Sequence, residues 1–235
     1  MAGQYAGARA NRQALKTFNP SPGSADAGTL GDLPTLRSRA RDVDRNNPIA
    51  TGAKATARSH TIGTGLTLRA EIYREILGMT KDQAEVWERR AEELFELWAA
   101  SQSADITLQQ DFFQLQGLVF NTVFEPGDAF VLRRRAKRGG VVPLALSVIE
   151  ADRIATPTEL QTNDMVRAGV RIDEDGAPIS YFIGADHPGD NYLPSQMTDF
   201  REIPAFGAKS GERMALHVFR RMRPARREVC PSWRP

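Results

Sequence analysis

The chain has 235 residues, and its 31 Lys and Arg nearly balance its 29 Asp and Glu. This length suits one large domain or two small ones with a buried core, and the net charge of +2 neither indicates nor excludes a nucleic-acid partner. The single cysteine, Cys230, excludes an internal disulfide framework, and there is no signal peptide or apolar run of about 18 residues, so we expect an intracellular chain without a membrane span.

Residues 1–33 are predicted to form a flexible N-terminal arm. From Phe18 to Leu33 the sequence FNPSPGSADAGTLGDL is rich in Pro, Gly, Ser and Asp and has no apolar period. Such a segment is compatible both with a free terminus and with an arm that embraces a neighbouring subunit.

Two helices and a short strand are predicted next. From Pro34 the sequence LRSRARDVDRN predicts a helix that ends near Asn46. Asn47 then reads as an N-cap with Pro48 at the first helical position, and the second helix continues to a stop at Gly63. Residues 65–70, GLTLRA, alternate as a short strand does.

Two further helices are predicted from capping boxes. Thr80 with Gln83 opens one helix, and Thr107 with Gln110 opens another that ends before Pro126. We expect the apolar side chains that recur at helical spacing to lie in the core rather than in a cofactor pocket. They are Trp87, Ala91, Leu94, Phe95 and Trp98 in the first helix, and Phe112, Leu115, Val119, Phe120 and Val123 in the second.

Strands are predicted after Asp128. AFVLRRR, the basic turn AKRGG and VVPLALSVIEADRI predict one hairpin. AGVRI and APISYFI predict a second, with an Asp-Gly turn ending at Gly176, and Met214–Phe219 is the last predicted strand. Because helices precede antiparallel hairpins, the predicted fold class is α+β.

Motifs for enzyme chemistry are absent from the sequence. Phe182 stands where a calcium loop around Asp175 needs a bidentate glutamate, and neither a complete dinucleotide fingerprint nor a phosphate loop is present. The histidines lack the paired spacing of a zinc site. We therefore predict no enzymatic activity, no catalytic residue, no cofactor and no metal site. The three histidines are His60, His187 and His217.

Basic residues cluster at the end of the first predicted strand and in the turn after it. They are candidates for contact with DNA or with a capsid protein, because guanidinium and ammonium groups bind phosphates and carboxylates. The alternative is a solvated hairpin tip that discourages edge pairing. The cluster consists of Arg133, Arg134, Arg135, Lys137 and Arg138.

The order of several short motifs resembles the N-terminal part of lambda-family phage portal proteins. The resemblance spans Tyr5 to Pro224, and it is carried by the combination of motifs rather than by any single one. The motifs are FNPSPGSADA, SRARDVDRNNPIATGAKATARSHTIGTGL, LVFNTVFEPGDAFVL, VIEADRIATP, GVRIDEDGAPISYFI, HPGD and ALHVFRRMRP.

This resemblance implies a structural role in the virion. A full-length relative forms a ring, usually of twelve copies, at one capsid vertex, through which double-stranded DNA is packaged and ejected. The implied partners are other portal subunits, capsid and scaffold proteins, the terminase that supplies the energy, and head–tail joining proteins. Residues 34–224 would form a wing-like α+β domain, and most of the stem, the clip and the crown would be missing.

The last residues, 225–235, depart from the family. One possible coding sequence for residues 224–235, with a single G inserted after the Pro224 codon, reads PGQTRGVPVLAP instead of PARREVCPSWRP. The shifted version resembles the continuation usual in the family. We therefore expect a frameshift near Pro224, with Ala225–Pro235 as an out-of-frame tail in which Cys230 and Trp233 have no role.

Two other functions stay open at this point. The chain could be a non-functional prophage remnant that does not assemble, or a small nucleic-acid-binding module that relies on its arginine clusters.

Overall fold

A computed structural model describes residues 26–136, 140–190 and 199–221, together with residues 13, 17, 18 and 22–24. Within these residues the helices come first and antiparallel strands follow, which confirms the predicted α+β class. Most of the predicted arm and the whole of residues 225–235 lie outside the described residues. The helices are α1 (Leu33–Asn46), α2 (Pro48–Thr61), α3 (Lys81–Ala99) and α4 (Phe112–Phe124). The strands are β1 (Asp128–Arg135), β2 (Leu144–Glu150), β3 (Val166–Arg167), β4 (Val170–Ile172), β5 (Pro178–Gly184), β6 (Phe200–Pro204) and β7 (Ala215–Phe219).

The boundary between α1 and α2 is set by the predicted Asn-Pro cap. The Asn47 side chain accepts hydrogen bonds from the backbone nitrogens of Ile49 at 3.0 Å and Ala50 at 3.3 Å. Pro48 has no N–H to satisfy and begins α2. Gly63 follows α2 with a φ of +56°, a left-handed conformation that glycine adopts without strain.

Helix α3 begins at the predicted capping box, but the prediction of its buried face is partly wrong. Trp87 is 52% exposed and Leu94 is 38% exposed. The backbone of residues 70–72 runs along α3, where Ala70 N donates to Glu92 Oε1 at 2.8 Å and Ile72 N donates to Glu88 Oε1 at 2.9 Å. These bonds place the side of α3 that carries Glu88 and Glu92 against residues 70–72. Trp87 and Leu94 therefore remain at the surface.

The predicted strand at residues 65–70 is wrong. The residues form no strand because the backbone of Leu66 is satisfied by a side chain, with Leu66 N donating to Gln116 Oε1 at 2.7 Å and Gln116 Nε2 donating to Leu66 O at 3.2 Å.

The predicted capping box at Thr107 is also wrong. Helix α4 is capped by Asp111, whose side chain accepts from Gln114 N at 2.7 Å. Thr107 instead donates its backbone N–H to the buried Asp105, and Leu108 has a φ of +59°, which is incompatible with a helix.

The strands form two antiparallel sheets. One has the order β2-β1-β7 and the other β3-β4-β5-β6. Both predicted hairpins and the last predicted strand are confirmed, and Gly176 has the positive φ of +82° that its turn requires. Strands β3 and β6 are not predicted by the sequence pattern because they are short.

The main core lies between the two sheets. Phe130 and Leu132 of β1 pack against Tyr181 and Ile183 of β5, with the Phe130 and Tyr181 rings edge to face at 5.4 Å.

The opposite face of the three-stranded sheet is apolar and lies beneath α4. An apolar cavity of about 460 Å³ separates them, and its lining includes Leu115, Val119, Val131, Val148, Leu216 and Val218.

A buried carboxylate joins α1 to the three-stranded sheet. Asp128, at the start of β1, is fully buried, and its Oδ1 lies 2.7 Å from Arg37 Nη2 of α1. Its Oδ2 lies 3.0 Å from His217 Nε2 of β7. The His217 ring in turn stacks on Phe130 at a centroid distance of 4.1 Å. One side chain therefore connects three elements that are far apart in sequence.

We predict that Asp128→Ala destabilises the fold by about 3–5 kcal/mol, because it leaves the buried Arg37 guanidinium without this carboxylate. The measurement is urea denaturation followed by far-UV circular dichroism. Asp164→Ala is the matched control, since Asp164 is exposed in its ion pair with Arg167 and its loss should cost at most about 1 kcal/mol. Equal losses for the two variants would show that the Asp128 network does not stabilise the fold.

Candidate functional site

The structure divides the predicted basic cluster. Arg133 forms an ion pair with Glu212, whereas Arg134 lies on the opposite face of β1, in line with Leu132. Arg135 is exposed at the end of the strand. Lys137 and Arg138 lie outside the described residues. The consecutive arginines of β1 therefore do not form one flat basic surface.

Arg134 instead lies in a cleft between the two sheets, which we name the arginine cleft. It has a volume of about 580 Å³ and brings together arginines from three separate elements. Arg134 comes from β1, Arg153 from a short 3-10 helix after β2, and Arg201 from β6. The remaining lining residues are Ile106, Leu132, Ser147, Ile149, Ile183, Gly184, Ala185, Asp199, Phe200 and Ile203.

Arg153 is held in a fixed orientation by backbone acceptors. Its Nη2 donates to Gly184 O at 2.9 Å and to Ala185 O at 2.6 Å, and its Nε donates to Gly184 O at 3.1 Å. These carbonyls belong to the end of β5 and the residue after it. The fold therefore fixes the position of the Arg153 guanidinium, and with it the positive charge at this side of the cleft.

The neighbouring Asp152 ties the same short helix to α1. Arg41 of α1 contacts both carboxylate oxygens of Asp152, and Arg41 Nη1 lies 3.3 Å from Oδ1. Burial alone would raise the pKa of Asp152, but the hydrogen bond from Arg41 and the positive charges of Arg37, Arg41 and His187 outweigh it and hold this pKa below its usual value. Asp152 thus anchors the segment that carries Arg153.

Arg153 and Arg201 were missed by the sequence analysis. Each is an isolated arginine in its local sequence, in EADRI and FREIP, with no pattern that marks it. The convergence with Arg134 depends on the packing of one sheet against the other.

The predicted lack of a metal site is not tested by this structure. Among the described residues, no group of three or more His, Cys, Asp or Glu side chains is arranged to hold a metal ion. His60 lies in α2 and His187 follows β5. His217, in β7, contacts Asp128 of β1. None of the described helices is both long and apolar enough to cross a membrane.

Comparison with known families covers nearly the whole chain. The model of the family described as "Phage portal protein, lambda family" matches residues 11–232. The chain belongs to this portal family. The resemblance inferred from short motifs is thereby confirmed.

Individual portal proteins of three phages are similar to this portal-family chain. The probable portal protein of Halomonas phage phiHAP-1 is 32% identical over 194 residues, which cover 80% of this chain and 36% of that protein. Portal protein B of Escherichia phage lambda is 25% identical over 225 residues, 93% of this chain and 40% of that protein. The portal protein of Escherichia phage N15 is 24% identical, over 94% of this chain and 41% of that protein. The chain therefore spans about two fifths of the length of these relatives.

We predict a pH-dependent contribution of Asp152 to stability. Because the pKa of Asp152 is lowered by folding, its stabilising effect is complete above the ordinary carboxyl pKa of 3.8 and is lost as the pH falls below that value through the folded-state pKa. The free energy of unfolding should thus be larger for the wild type than for Asp152→Asn at neutral pH. This difference should shrink below about pH 4.

The measurement is a series of urea denaturation curves from neutral to acidic pH. Asp164→Asn, at an exposed ion pair, is the control and should differ little from the wild type throughout. A difference for Asp152→Asn that stays constant into the acidic range would contradict the role of its ionised carboxylate.

Proposed function

We propose that the chain is the N-terminal part of a phage portal subunit, which forms the ring at one capsid vertex through which DNA is packaged and ejected. The observation that carries this proposal is the family match over residues 11–232. The similar proteins of three phages are all named as portal or probable portal proteins. The role would be mechanical and structural, without a catalytic site or cofactor in this chain.

The partners follow from the ring. They would be other portal subunits, twelve in a closed ring, with capsid and scaffold proteins around it and the terminase and head–tail joining proteins at its ends. Double-stranded DNA would pass through without sequence readout. The assembled protein would belong to the virion. In this arrangement residues 34–224 would correspond to a wing-like domain, and the arm of residues 1–33 would contact a neighbour.

The outer face of α3 supports contact between subunits. Val86, Trp87, Leu94 and Leu97 are 55%, 52%, 38% and 58% exposed. Positions 87, 90, 94 and 97 follow the alternating spacing of three and four residues that lets one helix pack against another. Arg90 interrupts the apolar stripe, as a polar group can at a specific helix contact. A group of exposed apolar side chains on one helix face is typical of an interaction surface. We assign it to contact with a second copy of the chain.

We predict that the purified chain self-associates and that Leu97→Asp weakens this association at least about tenfold, because a carboxylate would be buried in an apolar contact. Sedimentation over a range of concentrations measures the association, and electron microscopy identifies rings. Val141→Asp, at an exposed valine between β1 and β2, is the matched control and should leave association unchanged.

A chain that stays monomeric at every concentration would contradict an assembling portal subunit. It would favour the alternative of a prophage remnant, which has the same ancestry but does not assemble.

The origin of residues 225–235 is proposed separately. We infer that they are an out-of-frame tail, because one possible coding sequence for residues 224–235 would read as a family-like continuation after a single base is inserted. Resequencing the coding DNA across the Pro224 codon and beyond tests this. An open frame encoding further portal sequence in another register is expected, and the absence of portal-like codons in every register would overturn it.

A further inference from the structure

The arginine cleft carries more positive charge than the structure neutralises. Arg134, Arg153 and Arg201 line it, and Asp199 is the single acid among its lining residues. Within the described part of the chain, neither Arg134 nor Arg201 forms an ion pair or side-chain hydrogen bond. The cleft therefore presents guanidinium donors that suit an anionic ligand, since arginine binds carboxylates and phosphates through paired N–H groups.

The floor of the cleft is apolar. Leu132 and Ile149 come from one sheet, and Ile183 and Ile203 come from the other. These side chains also belong to the core between the sheets, and an apolar group of a ligand would contact the parts of them that face the cleft. The combination of an apolar floor with a basic rim favours a ligand that carries both apolar and acidic groups.

Strand β6 lies at an edge of its sheet, beside the cleft. It is the last strand of that sheet among the described residues, in the order β3-β4-β5-β6. Ala185 N donates to Asp199 O at 3.0 Å and Ala205 N donates to Ile179 O at 2.8 Å, so the backbone of alternate residues between them faces β5. The backbone groups of Phe200 and Glu202 consequently face away from β5, while Arg201 and Ile203 line the cleft. An extended peptide can pair with such an edge.

We propose that the arginine cleft binds an extended peptide segment in which acidic and apolar side chains alternate at every second position. The acidic groups meet Arg134, Arg153 and Arg201, and the apolar groups contact the floor. Because successive side chains of an extended segment point to opposite sides, only every second residue faces the cleft, just as Arg201 and Ile203 share one face of β6. Nucleic acid fits less well, since its backbone places phosphates, and no apolar groups, against the floor.

This proposal goes beyond ring formation and does not depend on it. The test uses the full chain and a short fluorescein-labelled peptide in which glutamate and valine alternate at every second position, with serine between them, and binding is measured by fluorescence anisotropy. Binding to the wild type is expected, and Arg134→Glu and Arg201→Glu should each weaken it at least about tenfold, since each replaces an attraction by a repulsion. Circular dichroism melting curves establish that the variants are folded.

Two controls separate a specific cleft from general charge attraction. Arg89→Glu makes the same charge change on the exposed face of α3 and should leave binding unchanged. A peptide with lysine in place of glutamate should not bind. The proposal is overturned if the acidic peptide does not bind, or if Arg89→Glu weakens binding as much as Arg201→Glu does.

A labelled DNA duplex forms the remaining arm of the experiment. If the duplex binds more tightly than the peptide and loses affinity with Arg134→Glu and Arg201→Glu, the ligand class is nucleic acid and the peptide proposal is wrong. Each result is independent of sedimentation, so loss of the cleft proposal would leave the portal proposal in place, and the reverse also holds.

Discussion

The fold depends on a carboxylate that is completely removed from water. Asp128 opens β1 and holds both Arg37 of α1 and His217 of β7. A buried charge is tolerated only when its partners are in place, so the helical and strand parts of the chain must dock together for Asp128 to be stable. The stacking of His217 on Phe130 extends this constraint into the core between the two sheets. The Asp128 network therefore links the orientation of α1 to the order of the strands.

A second ion pair applies the same logic just after the end of β2. Asp152 is bound by Arg41 of α1, and the next residue, Arg153, is fixed by the carbonyls that end β5. Helix α1 thus stabilises the segment that aims one guanidinium into the arginine cleft. This positioning of Arg153 favours ligand binding in the cleft, because a group that binds a ligand is most effective when the fold has already positioned it.

Two surfaces carry side chains that the described residues neither cover nor neutralise. The outer face of α3 exposes apolar side chains to water, and the arginine cleft holds charge that the described residues do not neutralise. Surfaces of these kinds are typical of sites that other molecules cover. They differ in chemistry, since one suits an apolar helix and the other an acidic extended segment. This difference makes two separate partners, or two separate parts of one partner, physically reasonable.

The sequence by itself determined several helix caps and turns, and the family. The caps at Asn47 and Thr80 and the turn at Gly176 depend on groups within a few residues, so they can be recognised without the fold. The tertiary structure decided which face of α3 is buried and which arginines converge. Glu88 and Glu92 bind a backbone segment that precedes α3, and Arg134, Arg153 and Arg201 meet only when the sheets pack. These outcomes depend on contacts between segments far apart in the chain, which local sequence patterns do not encode.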